Sequence, residues 1–335
     1  MQIFENVDLE KYNTLHLLSK TRYYVKLTQI NQLNDLRNYI NIAKLKFFVL
    51  GGGSNIILPD EYNGLVIHNH LKGIVITKYD KEHSLVKVAA GENWDHFVYY
   101  SLVNGCYGLE NLSLIPGTVG AAPIQNIGAY GVEVKDFIHE VEVFNIITGE
   151  MHIFSNSECL FQYRDSRFKR EQHYIVVSVT FKLLNVAKLN ITYGDLVHNM
   201  KQYSKPQALD LRNEVIKIRS SKLPDPNVIG NVGSFFHNPI LGIEHAKLLQ
   251  QKYTKLPIYP VDDQHVKISA GWLIDNLGLK GYSLGKVGIY DKQALVLVNL
   301  GGGANKTDVL NLANYIIKQV YNVYNIRLNI EPIQI

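Results

Sequence analysis

Residues 114–131 read LIPGTVGAAPIQNIGAYG, and the rest of the chain is read outward from them. The stretch holds four glycines (117, 120, 128, 131), three alanines (121, 122, 129), the prolines Pro116 and Pro123, and no charged residue. Gly and Pro at this density interrupt a helix or an ordinary strand. Leu114, Ile115, Val119, Ile124 and Ile127 make the run too apolar for a solvated linker. It reads as a buried, tightly packed loop whose backbone approaches something large, with free N–H groups to offer an anion or a heterocycle. The plain alternative is a glycine-rich turn cluster inside a core.

A second anomaly lies upstream. Gly51, Gly52, Gly53, Ser54 and Asn55 follow the apolar run at 46–50 and precede Ile56, Ile57 and Leu58. Successive N–H groups in such a turn make a nest suited to a pyrophosphate. No Gly-Lys-Ser/Thr follows, so it is not a Walker loop. The glycine spacing is not that of a Rossmann fingerprint, and the next segment reads as strand. A pyrophosphate nest beside a neutral glycine loop, without a Rossmann unit, points to a flavin dinucleotide held another way. A third cluster, GGGAN at 301–305, sits between a predicted strand and helix and reads as a plain loop.

The chain has 335 residues, enough for two or three domains. With 46% hydrophobic and 19% charged residues it can bury a substantial core. A net charge of +4, with the signs interspersed, gives no nucleic-acid footprint and a mild bias toward anionic ligands. Cys106 and Cys159 have no metal or redox spacing; one disulfide is conceivable, and free thiols suit a reducing compartment better. The N-terminus carries acids where a signal peptide is apolar, and no run reaches the roughly 20 apolar residues of a membrane span. The expectation is a cytoplasmic protein without membrane insertion.

In chain order, 23–27 reads as a strand. Thr28 then caps a helix presenting Ile30, Leu33, Leu36, Ile40 and Ala43. Strands follow at 47–50, 64–68, 73–77 and 84–90. Asn93 caps a helix that buries Trp94, Phe97, Val98 and Leu102 and stops near Gly105. Beyond the central loop, 138–146, 151–154 and 174–184 are strand-like, with Val141 and Val143 facing away from Glu140 and Glu142. Pro206 starts a helix carrying Leu211, Val215 and Ile218. Helices near 242–252 and 269–277, a strand at 294–299, a helix opened by Thr307 and a last strand at 326–330 complete the pattern. No period of 20–50 residues recurs.

Six motifs carry a specific resemblance: GGGSN at 51–55, the loop at 114–131, YRDSRFK at 163–169, ITYGDL at 191–196, KLPDP at 222–226 and GNVGSFFHNP at 230–239. In this order, over nearly the whole chain, they are similar to the UDP-N-acetylenolpyruvoylglucosamine reductase family of bacterial peptidoglycan precursor synthesis. LPIYP at 256–260 resembles its first type. The resemblance implies an α+β fold of three domains. Two of them, 1–71 with 323–335 and 72–222, would form a non-Rossmann FAD-binding unit of the vanillyl-alcohol-oxidase type, and 223–322 the substrate-binding domain. It implies noncovalent FAD, NADPH as cosubstrate, a UDP-sugar substrate, no metal and a monomer. The reaction would reduce an enolpyruvyl ether to a lactyl ether, giving UDP-N-acetylmuramate. Hydride added to the β-carbon leaves carbanion character beside the carboxylate, so the site must hold that carboxylate, stabilise an enol-like species and supply a proton.

Residue by residue, Ser234 matches the family's proton donor, although out of context a serine there is a turn residue. Arg164 matches the arginine for the substrate carboxylate, which a guanidinium can grip with two bonds while always charged. Arg167 and Lys169 read as surface charges. Glu331 matches the third catalytic residue in an ungapped alignment from Val320. Alignment on Glu331-Pro332 would put Ile333 there and leave no acid. Substrate contacts carry over to Tyr193, Lys222, Asn238, Tyr259 and Gln293. Flavin contacts carry over to Gly51, Gly52, Gly53, Ser54, Asn55, Pro116, Gly117, Gly120, Ala121, Ala122, Ile124 and Gly128. Many relatives have serines where this chain has Ala121 and Ala122, so backbone N–H groups are expected to replace those hydroxyls. His68, His70, Cys106 and Cys159 lie outside the flavin motifs, and no covalent link is expected. Two other readings are a flavin oxidase of the same fold acting on another substrate, and a non-catalytic nucleotide-sugar binder.

Overall fold

The strand Tyr174–Leu184 is buried along nearly its whole length because both of its faces are covered. Val176, Val179, Phe181 and Leu183 enter one apolar core, with Trp94, Phe97 and Val141. Ile175 and Val177 enter another, with Val25, Leu36 and Ile67. The computed structural model describes residues 1–335. Its internal contacts divide the chain into two units. The first comprises Met1–Val7, Thr21–Gly53 and Asn63–Ser221; the second comprises Asp8–Lys20, Ser54–Tyr62 and Lys222–Ile335. Both mix helix and strand, and the fold is α+β.

The first unit holds two larger sheets and the short antiparallel pair of Gly128–Ala129 with Val132–Glu133. One runs in the order Ile3–Asp8, Lys20–Leu27, Glu61–Asn69, Phe47–Leu50, the last two paired in parallel. The helix that joins Lys20–Leu27 to Phe47–Leu50 is Gln32–Ala43, and it lays Leu33, Leu36 and Ile40 on the core. It starts four residues later than Thr28, because the Gln32 side chain accepts from the amides of Thr28 and Gln29 and ends the turn there. Ile30 and Ala43 are consequently exposed. The other sheet is antiparallel, in the order Glu150–Ser155, Ile138–Asn145, Tyr174–Leu184, His83–Ala89, Ile74–Lys78. Helix Trp94–Val103 packs on it, its N-terminus capped by the Asn93 side chain accepting from His96. Cys106 and Cys159 are free and buried, and burial raises both thiols, Cys159 to about 12.

In the second unit a sheet orders as Asn231–Ser234, Val296–Asn299, Val287–Ile289, Ser283–Leu284. A three-stranded sheet places His265–Ile268 between Ile240–Gly242 and Ile258–Pro260. Helix Lys306–Tyr324 begins at Asn305, not Thr307, because Asn305 and Asp308 cap each other's amides reciprocally. The cluster at 301–305 is the turn into that cap, with Gly302 and Gly303 at positive φ. Residues 326–330 do not form the expected strand. They make one isolated bridge, Phe236 to Ile330, before Pro332. The terminal strand is Ile333–Gln334, parallel to Ile56–Ile57. No helix is long and apolar enough to cross a membrane.

Candidate active site

In the first unit the two glycine motifs meet backbone to backbone. A Cβ on Gly52 would lie 2.7 Å from the Gly117 Cα, and one on Gly51 would lie 2.6 Å from the Thr118 Oγ1. Only glycine permits this approach, which seats the 51–53 turn on the 114–131 loop. The loop is tied down from behind: Trp94 donates to the Gly117 carbonyl, Val119 to Glu92 and Gly120 to Ala90. Its entry is clamped by Asp95, which accepts from the Leu114 amide at 2.5 Å and from Arg212 at 2.6 and 2.8 Å. Burial works against the Asp95 charge, but the Arg212 and Leu114 hydrogen bonds outweigh it and hold the carboxyl below its ordinary range.

The loop's backbone differs from the expectation of free N–H groups. Those of Val119, Gly120, Ala121, Ala122 and Ile124 donate to Glu92, Ala90, Thr118, Val119 and Ala121. The first two bond to the neighbouring segment and the others within the short 3₁₀ turn Val119–Ala121 and its flanks, so they do not stand in for the missing serine hydroxyls. Ala122 is part of the apolar core, while Ala121 is half-buried with its methyl toward the 51–53 turn.

Arg164 is bolted to the same loop. It adopts a left-handed φ of 54°, and its guanidinium donates to the carbonyls of Gly128 at 2.7 Å and Asn126 at 3.2 Å. Glu133 lies 3.9 Å away. A Cβ at residue 128 would fall 2.8 Å from the Arg164 Nη1. Sequence reasoning missed the supports. Fully buried Asn126 donates to Glu133 and to the Gln162 carbonyl, and Ser166 donates to the Ile124 carbonyl at 2.7 Å. Lys169, read as a surface charge, donates to the Arg164 carbonyl at 3.0 Å. Arg167 lies over the Phe154 ring and pairs with Glu171. Exposed Tyr193 meets Tyr130 edge-on, with ring centroids 5.9 Å apart.

Two buried polar atoms near these motifs lack protein partners, the Arg219 Nε and the His70 Nε2. Burial lowers the Arg219 pKa, and the charges of Tyr130 and Asp95 act against that. A buried cation beside the loop and a turn that only glycine can form suit an acceptor-rich, doubly phosphorylated group such as a flavin dinucleotide.

In the second unit, Ser234 closes a strand that pairs Asn231 with Val298 and Ser234 with Val296, with an irregularity between. Gly233, at φ 68°, makes the bulge, and the Asn231 side chain accepts its amide. Bulges re-aim a side chain. Here Phe235 and Phe236 stay in the core and Ser234 is exposed. Residues 235–237 then run beside 329–331: the Glu331 amide donates to the Phe235 carbonyl and the His237 amide to Asn329, both at 2.9 Å. Largely buried Glu331 lies 3.5 Å from the His237 Nδ1. Ile333 instead donates to the Asn55 carbonyl within the terminal strand pair.

Of the expected substrate contacts, Asn238 uses its oxygen on the Ala270 amide, at the start of helix Ala270–Asn276. Gln293 holds the turn into Val296–Asn299. Tyr259 is on the edge strand Ile258–Pro260, and Lys222 is exposed at the end of helix Ala208–Lys222. No group of three or more His, Cys, Asp or Glu is placed to hold a metal.

Comparison with known proteins bears on both units. A family model for an FAD binding domain matches residues 21–155, and one for the C-terminal domain of UDP-N-acetylenolpyruvoylglucosamine reductase matches residues 225–335. The reductase of that name from Bdellovibrio bacteriovorus is 47% identical over 337 residues, covering 100% of both chains. That from Neisseria gonorrhoeae is 44% identical over 97% of this chain and 95% of its own. The crystal structure of the Thermus caldophilus reductase superposes with a TM-score of 0.68 at 25% identity, covering 100% of this chain and 99% of the other.

Proposed function

The chain belongs to the UDP-N-acetylenolpyruvoylglucosamine reductase family and reduces its enolpyruvyl UDP-sugar with NADPH, and we propose that Arg164, Ser234 and Glu331 carry the substrate side of that reaction. Bound FAD, reduced by NADPH, supplies the hydride to the enolpyruvyl double bond. Everything else falls to the protein. Arg164, held by two loop carbonyls, receives the substrate carboxylate with a charge that cannot be lost. The Ser234 hydroxyl donates a proton to the carbon bearing that carboxylate; a weak acid serves when it is fixed in place over a strongly basic carbon. Glu331 polarises the carboxylate as negative charge builds there.

One observation carries this assignment. The register of 235–237 against 329–331 sets the Glu331 backbone beside the residue that follows Ser234, and takes Ile333 away to another strand. It supports the ungapped alignment, in which the acid is Glu331.

The turn at 51–55 and the loop residues Pro116, Gly117, Gly120, Ala121, Ala122, Ile124 and Gly128 are our reading of the FAD site. Tyr193, Lys222, Asn238, Tyr259 and Gln293 are our reading of the nucleotide contacts. We divide the chain as 1–71 with 323–335, 72–222 and 223–322. The separate sheets of the first unit support the boundary near 72. A monomer fits the scatter of exposed apolar side chains along the chain, and sedimentation checks it. A cytoplasmic location fits NADPH, UDP-sugar and two free thiols.

The test is an anaerobic assay of the two half-reactions in turn. NADPH alone should bleach the flavin, and the enolpyruvyl nucleotide alone should restore its colour. Bleaching without recovery would leave only a nucleotide-sugar binder, and recovery only with oxygen and another substrate would mean an oxidase.

A further inference from the structure

Residues 13–17, NTLHL, lie outside every motif used so far, yet within the second unit they brace the strand that ends in Ser234. Asn231–Ser234 is the edge of its sheet. An edge strand leaves alternate N–H and C=O groups without a ladder partner. At residue 231 both are taken by Thr14. The Asn231 amide donates to the Thr14 carbonyl at 2.7 Å, and the Thr14 hydroxyl donates to the Asn231 carbonyl at 2.6 Å. One threonine thus supplies, from its backbone and its side chain, what a neighbouring strand would. The segments touch closely: a Cβ on Gly230 would lie 2.6 Å from the Leu15 carbonyl oxygen.

The brace is itself held. Leu15 and Leu17 are core residues, and the buried Asn13 side chain donates to the Leu9 and Leu17 carbonyls while accepting from the Leu17 amide. Asn299, on the adjoining strand, donates to the carbonyls of Leu15 and His16. Asn231 carries the fixed position forward. Its side chain donates to the Pro224 and Ile229 carbonyls and accepts from the Gly233 amide, closing the bulge that leaves Ser234 exposed. A hydroxyl that must deliver a proton to one carbon tolerates little displacement; a shift of about 1 Å can cost roughly 10²-fold in rate. We propose that Thr14 is a positioning residue for the Ser234 hydroxyl: its two bonds to Asn231 fix the bulge from which Ser234 projects. This rests on the reading of Ser234 as the proton donor.

The experiment follows the two half-reactions of the FAD-loaded enzyme by stopped flow, with hydrogen exchange over residues 230–236 in parallel. Thr14→Val removes the hydroxyl at nearly constant volume. It should slow reoxidation by the enolpyruvyl nucleotide about tenfold and speed exchange at 230–234. The half-saturating nucleotide concentration and the reduction by NADPH should stay as in the parent. Thr14→Ser keeps the hydroxyl and should match the parent throughout, a rescue that packing alone would not produce. Thr14→Ala repeats the test should the valine variant not fold. In a Ser234→Ala background, Thr14→Val should slow nothing further. If Ser234→Ala itself reoxidises like the parent, the proton-donor reading fails and takes the proposal with it. The positioning role alone is overturned if Ser234→Ala is slow while Thr14→Val matches the parent, if the two losses multiply, or if Thr14→Ser is as slow as Thr14→Val.

Discussion

The Glu331 amide donates to the Phe235 carbonyl at 2.9 Å. This bond joins two segments nearly a hundred positions apart in sequence. It makes the tail after 325 part of the Ser234 neighbourhood, although that tail forms no regular strand before Pro332. A register set by backbone pairing and by two buried phenylalanines does not slip easily, since a one-residue shift would reverse every side chain.

Ser234→Ala should leave reduction of the flavin by NADPH nearly unchanged and slow its reoxidation by the enolpyruvyl nucleotide roughly 10²- to 10⁴-fold, the range of general-acid catalysis. Stopped-flow absorbance at the flavin band measures both. Equal loss in the two halves would make Ser234 structural.

Glu331→Gln should slow the same half-reaction, while Ile333→Val should not. The reverse result would move the acid's position to 333 and remove the carboxylate from the mechanism.

Arg164→Lys should raise KM for the enolpyruvyl nucleotide about tenfold or more, because an ammonium cannot bridge two carbonyls and a carboxylate in one plane. Gly128→Ala should mimic it, since the added methyl meets the Arg164 Nη1. A Gly128→Ala enzyme with parental KM would show that Arg164 does not depend on the loop.

Asp95→Asn should destabilise the protein by about 2 kcal/mol, less than the loss for a fully buried pair because Asp95 keeps some contact with water. Its depressed pKa adds stability that is complete above the carboxyl's unfolded value and is lost as pH falls through the folded one. The difference between variant and parent should therefore shrink below about pH 4. Urea titrations at pH 7 and pH 3.5 measure it.

His68 acts in a different window. Burial, and then the neighbouring His70, lower its pKa to about 4, against a pull upward from the Gly51 hydrogen bond, and Lys26 adds to the lowering. The unfolded chain thus binds the proton first. Stability from this group is full above about pH 6.5 and falls by at most about 3 kcal/mol as pH drops toward 4. His68→Gln should flatten that part of the urea-stability profile. A parent profile level between pH 6.5 and 4.5 would contradict it.

Sequence alone determined the local features: the glycine motifs, the capping asparagine before Trp94, the central strand at 174–184 and the order of motifs that names the family. These depend on composition and on periods of a few residues, which the chain carries within each segment. It misled where a distant partner decides. Residues 326–330 look like a strand but lie as an irregular tail, because Pro332 and the pairing with 235–237 override propensity. The loop amides at 119–122 look available but turn inward onto Ala90, Glu92 and their own 3₁₀ turn.

Tertiary structure alone decided which groups support the chemistry. Lys169 beneath Arg164, Asn126 behind the loop, the Asp95–Arg212 clamp and the hydrogen bond between Tyr24 and His68 each join residues that no short-range pattern links. A buried polar group must find a partner wherever the fold brings one, and only the folded chain says where that is.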